Sequence, residues 1–151
     1  MRKKIIGVIG GHSCNNEVEQ IAHKIGIIVA KVGAILICGG LGGVMKAVCQ
    51  GTKSENGLTI GIITNYDKND ANESCDIVIP SGLGYARNVL VVQTADIIVA
   101  LPGEYGTLSE VAYGLQFKKP VICLGSWEIP GVIKVKTLQE AETKIKELLK
   151  I

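Results

Sequence analysis

An α/β fold, with a parallel sheet covered by helices on both faces, is predicted by three features of this 151-residue chain. Short aliphatic runs of strand length alternate with stretches of helical periodicity from end to end. The runs are rich in Ile and Val, as strands buried on both faces require. Glycine occupies 19 positions, about twice its average share, and much of it falls just after the aliphatic runs, where a strand must turn into a helix.

The elements follow in order. Ile5 to Ile9 reads as a strand ending in Gly10-Gly11. From Glu17 to Val32, the apolar residues Val18, Ile21, Ala22, Ile25, Ile28, Val29 and Val32 recur at helical spacing, and Gly33 stops that helix. Ala34 to Cys38 is the second strand, followed by Gly39-Gly40-Leu41-Gly42-Gly43 and a helix running to about Lys53. Leu58 to Thr64 is the third strand. The polar stretch Asn65 to Ser74 reads as a surface loop. Asp76 to Ile79 is a short strand stopped by Pro80. Tyr85 to Thr94 reads as a helix, Asp96 to Leu101 as a strand ended by Pro102-Gly103, Thr107 to Phe117 as a helix and Val121 to Leu124 as a strand. Gly131 to Val135 is an edge strand, since Pro130 limits pairing. Thr137 to Leu149 is the closing helix. No linker or repeat divides the chain, so 1–151 is expected to be one domain.

Composition narrows the function classes. With 16 basic and 14 acidic residues the net charge is +2, and there are six aromatics. Neither nucleic acid nor a membrane surface is expected as a partner. The longest apolar stretch, Ile25 to Cys38, contains Lys31 and Gly33 and is too short to span a bilayer. The apolar run behind the basic start ends too soon for a signal peptide. A cytoplasmic protein is expected. Five cysteines without a C-x-x-C suggest neither a disulfide framework nor a metal site. Cys38 and Cys123 read as core residues; Cys14, in a loop, is the candidate reactive thiol of the five, but with nothing near it in sequence to activate it, it reads as structural.

Ligands of parallel sheets bind beyond the carboxyl ends of the strands, so the loops there are the candidates. Gly11 and Ser13 follow the first strand. Gly39, Gly40, Gly42, Gly43 and Met45 lie between the second strand and its helix, where backbone N–H groups and a helix N-terminus suit an anion. Neither the dinucleotide fingerprint nor a Walker loop is present. Gly103, Gly106, Thr107 and Glu110 lie in Pro102-Gly103-Glu104-Tyr105-Gly106-Thr107-Leu108-Ser109-Glu110. Here the glycines free the backbone, Thr107 offers a hydroxyl and an N–H, and Glu110 offers a carboxylate. Thr107-x-x-Glu110 is equally a helix capping box, and Thr137-x-x-Glu140 has the same form without glycines before it. Arg87, at a helix start facing strand ends, can clamp a phosphate or carboxylate, or can be a solvated surface residue.

Gly-Gly-Leu-Gly-Gly-Val-Met at 39–45, Ala-Arg-Asn at 86–88 and the segment 102–110 together resemble the superfamily of the LOG cytokinin-activating enzymes and the molybdenum cofactor carrier proteins. Many of its members were once labelled lysine decarboxylases. The resemblance runs from Ile5 to Leu124 and is strongest to the small carrier-like branch. It implies a Rossmann-like sheet and a homodimer or higher homo-oligomer. It also implies a site over the strand ends for a nucleoside monophosphate or related phosphorylated compound. LOG-type members hydrolyse the N-glycosidic bond of nucleoside 5′-monophosphates. By that match Arg87 and Glu110 take the catalytic positions, and Gly103, Gly106 and Thr107 the phosphate-loop positions. Glu104 stands where the family motif has its second glycine, and Asn88 where it has lysine. Both departures favour binding over hydrolysis. The expected ligand is therefore a nucleotide or a pterin-type phosphorylated compound such as molybdenum cofactor, with no cofactor required. Decarboxylation would need a Schiff-base lysine, and none stands in these loops.

Overall fold

The computed structural model describes residues 1–151. The strands are β1 (Ile5–Ile9), β2 (Ile35–Cys38), β3 (Thr59–Ile63), β4 (Ile77–Pro80), β5 (Ile97–Ala100), β6 (Val121–Leu124) and β7 (Ile133–Val135). The helices are α1 (Asn16–Lys31), α2 (Val44–Ser54), α3 (Arg87–Thr94), α4 (Tyr105–Gln116) and α5 (Leu138–Leu149). The seven strands form one sheet in the order β4-β3-β2-β1-β5-β6-β7, and every pairing is parallel. The chain walks outward from β1 to β4, then returns so that β5 pairs with the other side of β1. The order therefore reverses at the β1–β5 pair, with Val8 opposite Val99 and Ile9 opposite Ala100.

Alternation along the strands fills two cores. Ile6, Val8, Leu36, Val99 and Ile122 face α1, α2 and α5, whereas Ile9, Ile37, Ile62 and Ile98 face α3 and α4. α1 is capped by Asn15, whose Oδ1 accepts from Val18 N–H at 2.9 Å. α5 carries a variant of the capping box: Thr137 Oγ1 accepts from Glu140 N–H at 3.1 Å, and Glu140 Oε2 accepts from the N–H of Lys136, one residue before the cap, at 2.7 Å.

Two helix starts differ from the sequence expectation. The stretch expected as one helix from Tyr85 opens with a 3₁₀ turn at Gly84–Ala86, and α3 proper begins at Arg87. α4 begins at Tyr105 with Glu104 at the N-cap, so Thr107 is its third residue, not its cap. The Trp127 indole N–H sets that earlier start. It reaches both Gly103 O and Glu104 O at 3.1 Å and fixes the turn ahead of Tyr105.

α1 and α2 pack at backbone distance. A Cβ on Gly51 would overlap His23 O, and one on Gly26 would overlap Val48 O. Helix propensity alone would make Gly51→Ala stabilising by about 1 kcal/mol. The collision reverses the sign. Gly51→Ala is expected to cost about 1–3 kcal/mol, read as a lower urea midpoint with unchanged slope. A raised midpoint would show that the helices do not meet here.

Candidate functional site

A cleft of about 850 Å³ opens at the carboxyl ends of β1, β2, β3 and β5, where the strand order reverses, as expected for a doubly wound sheet. Its walls are tied together by backbone. Gly11 N–H donates to Pro102 O at 2.9 Å, joining the loops after β1 and β5. Val44 N–H donates to Gly11 O at 3.0 Å, so the first N–H of α2 is already satisfied by the chain. Asn72 holds the loop after β2, with its N–H on Gly40 O and its side-chain amide on Leu41 O, both at 2.9 Å.

The predicted residues divide by position. Gly11, Gly39, Met45, Arg87, Gly106, Thr107 and Glu110 line the cleft. Gly40, Gly42, Gly43 and Gly103 are not among the residues that line it. Gly40 and Gly43 take positive φ, +74° and +60°. A Cβ on Gly40 would press on Ile63 at 2.8 Å, and one on Gly43 would overlap Gly11 O. Ser13 and Gly43 instead border a second cavity of about 370 Å³ beside α2, with Cys14 and Lys46.

Arg87 is only 7% exposed. Its Nε donates to Ile62 O at 2.9 Å, Nη1 to Asn88 Oδ1, and Nη2 to Gly39 O at 3.4 Å. The guanidinium thus bridges the end of β3 and the loop after β2. Gly39 must be glycine for this, because a Cβ there would stand 2.6 Å from Nη2. Burial pulls the Arg87 pKa below its ordinary value, opposed by the charge of Glu110. Asn88 carries the bracing to α4. Its Nδ2 donates to Ser109 Oγ at 3.2 Å and to Gly106 O at 3.4 Å.

Glu110, also 7% exposed, sits in the second turn of α4. The four ion pairs of the molecule all lie elsewhere. Burial pushes its carboxyl up to about 8, with Arg87 acting in the opposite direction. At neutral pH the group is mostly the neutral acid and can donate a hydrogen bond. At the head of the same helix, Leu108 N–H is bonded to Glu104 O. The N–H groups of Tyr105, Gly106 and Thr107 precede it and have no acceptor within the helix. All three residues line the cleft. Thr107 is buried against Gly103, where any Cβ would overlap its Oγ1. At the rim, Tyr85 and Tyr105 are largely exposed, and Tyr105 stacks on Trp127 with ring centroids 6.2 Å apart.

A family model described as the SLOG cluster4 family matches residues 3–150. The chain belongs to that family. Its fold superposes on the molybdenum cofactor binding protein of the phototrophic bacterium Rippkaea orientalis with a TM-score of 0.93, at 34% identity over 99% of both chains. The molybdenum cofactor carrier protein of Chlamydomonas reinhardtii gives 0.88, at 31% identity over 99% of this chain and 100% of that one. A probable cytokinin riboside 5′-monophosphate phosphoribohydrolase of rice is 34% identical over 95 residues, covering 62% of this chain and 38% of its own length. The resemblance read from the motifs is therefore that of a true member of the LOG and molybdenum cofactor carrier superfamily.

Within this SLOG protein, the predicted site set left out several polar residues that line the cleft, among them His12, Thr64 and Asn65 after β3, Asn88, Glu104 and Ser109. Asn65 sat in a stretch read only as a polar surface loop. The rule that places ligands beyond strand ends, applied to β3 as well, would have found Thr64 and Asn65. No helix is long and apolar enough to cross a membrane.

The Glu110 assignment has a stability consequence. A carboxyl whose folded pKa is raised binds its proton more tightly in the folded state. The folded state therefore loses stability relative to the unfolded chain as pH rises from about 4.5 to about 8, and the loss is complete above that. Glu110→Gln removes this titration. In urea unfolding, the variant should gain on the parent steadily between about pH 5 and about pH 9. A stability difference that does not change with pH would show that Glu110 is ionised in the fold.

Proposed function

We propose that the cleft binds a nucleotide or a phosphorylated pterin-type cofactor and holds it without cleaving it. One observation carries this reading. Three of the five Arg87 N–H groups are held by acceptors inside the chain, and burial raises the Glu110 carboxyl to about 8, which favours the neutral acid at neutral pH. Such a pair makes a braced wall that offers donors, the remaining Arg87 N–H groups and the Glu110 acid, rather than an anionic nucleophile or base. The free N–H groups at the head of α4, with the Thr107 hydroxyl, suit a phosphate. The exposed rings of Tyr85 and Tyr105 flank the mouth, where a planar heterocycle can stack. The residues fit molybdenum cofactor in kind: a phosphate cradle, a ring platform and a buried donor. Self-association belongs to the same proposal, supported by Leu90 on α3 and Tyr113 on α4, both exposed apolar side chains.

The test combines ligand identity with chemistry. Native mass spectrometry of the purified chain should reveal a phosphorylated heterocycle. Thr107→Ala should weaken its affinity by about tenfold, the effect of about 1.4 kcal/mol from one lost phosphate contact, with the melting profile intact. Binding should also weaken as pH rises through about 8, when Glu110 loses the proton it donates. Release of free base from AMP that disappears in Glu110→Ala would overturn the carrier reading in favour of a phosphoribohydrolase.

A further inference from the structure

Beneath the glycine loop that follows β2, the fold gathers three cysteines that are far apart in sequence. Cys38 ends β2, Cys49 lies in α2 and Cys75 leads into β4. The sulfurs of Cys38 and Cys49 are 3.5 Å apart, and those of Cys49 and Cys75 are 3.8 Å apart. All three are free thiols. No set of three His, Cys, Asp or Glu side chains is arranged to hold a metal, so the cluster needs another account.

We propose that Cys75 is a site of oxidation by hydroperoxides, and that Cys49 resolves the product into a reversible disulfide under the Gly39–Gly43 loop. Position distributes the roles. Cys38 and Cys49 are fully buried, whereas Cys75 is partly exposed and is the thiol that an oxidant can reach. The neighbouring thiols of Cys38 and Cys49 lower its pKa, against burial and the charge of Asp76, which raise it, and Cys49 lies within hydrogen-bond reach of its sulfur at 3.8 Å. The Cys75 thiolate attacks the peroxide oxygen and breaks the O–O bond; with one proton taken up, the products are a sulfenic acid and an alcohol or water. The Cys49 sulfur then attacks the Cys75 sulfur. An S–S bond forms, the S–O bond breaks and water leaves, carrying the Cys49 proton. The two sulfurs start from van der Waals contact, so closing to a bond of about 2.05 Å needs a movement of under 2 Å. An external dithiol reverses the change by exchange.

The neighbouring thiol and the loop are coupled to this pair. Cys38 can take over the bond to Cys49 by internal exchange, because its sulfur is nearer still. Cys38 Sγ accepts from Gly40 N–H at 3.3 Å. Asn72, three residues before Cys75, clamps Gly40 and Leu41. Oxidation thus acts on the segments that hold the loop after β2. Cys14 lacks these features: burial and Glu19 push its thiol up, and no second sulfur lies beside it.

The experiment treats the reduced full chain with stoichiometric hydrogen peroxide, alkylates it after denaturation, and maps tryptic peptides. Cys38, Cys49 and Cys75 fall on separate peptides, Val32–Lys46, Ala47–Lys53 and Asn69–Arg87. The expected result is loss of two alkylatable thiols in one linked pair that includes Cys49, with recovery on adding dithiothreitol. Cys75→Ser should slow that loss by about tenfold or more. Cys49→Ser should accumulate a Cys75 sulfenic acid that dimedone traps. Thiol loss at the parental rate in Cys75→Ser, oxidation confined to Cys14, or five thiols still alkylatable in the parent would each overturn the proposal.

Discussion

A guanidinium buried under a cleft floor must find acceptors inside the protein, because it stays charged and has given up its water. Arg87 finds them on Ile62 O, on Gly39 O and on its neighbour Asn88. The end of β3, the loop after β2 and the start of α3 are thereby fixed to one another. Through Asn88 the bracing continues to Ser109 and Gly106 in α4. Both glycine-bearing walls of the cleft therefore depend on one side chain. Arginine suits this position because its planar fork reaches several acceptors at once, which an ammonium on a flexible stem does not do.

That commitment shapes the electrostatics of the rest of the cleft. Arg87 directs its bonded N–H groups to Ile62, Asn88 and Gly39 and makes no direct ion pair with Glu110, and burial dominates the carboxyl. An ionised pair in contact would satisfy itself and close the floor. Separation instead leaves an acid that can donate beside an N-terminal set of free N–H groups. The cleft offers donors from both sources, which suits a ligand bearing phosphate and ring carbonyl or ring nitrogen acceptors.

Much of the fold was open to the sequence because most strands are short aliphatic runs, with glycine directly after β1, β2 and β6, and because α1 and α5 carry clear apolar stripes. Identical local patterns nonetheless diverged. Thr137-x-x-Glu140 caps α5, whereas Thr107-x-x-Glu110 lies inside α4 and turns both side chains toward the cleft. The difference comes from Trp127, seventeen residues beyond Glu110, whose indole holds the turn at Gly103 and Glu104. No window around Thr107 contains that information. The cysteine cluster escaped for the same reason. Its members are 11 and 26 residues apart, and they meet only once β2 pairs with β3, β3 with β4, and α2 lies across the sheet.

The glycines of the loops also acquire a different physical role. Read alone, Gly39 to Gly43 looked like a bare backbone cradle for an anion. In the fold, Gly39 makes room for Arg87, Gly103 makes room for Thr107, Gly10 makes room for Val44, and Gly43 lets α2 meet the loop after β1. Each missing Cβ admits a group of the protein. Gly39 and Gly103 in particular free the space occupied by a polar side chain of the candidate site, so that side chain is held in place before any ligand arrives. Pre-positioning of this kind lowers the ordering cost of binding. It also explains why one end of the sheet concentrates so much glycine: the cleft is assembled by close approach of backbone to side chain, and any larger residue at Gly39 or Gly103 would displace Arg87 or Thr107 from the cleft lining.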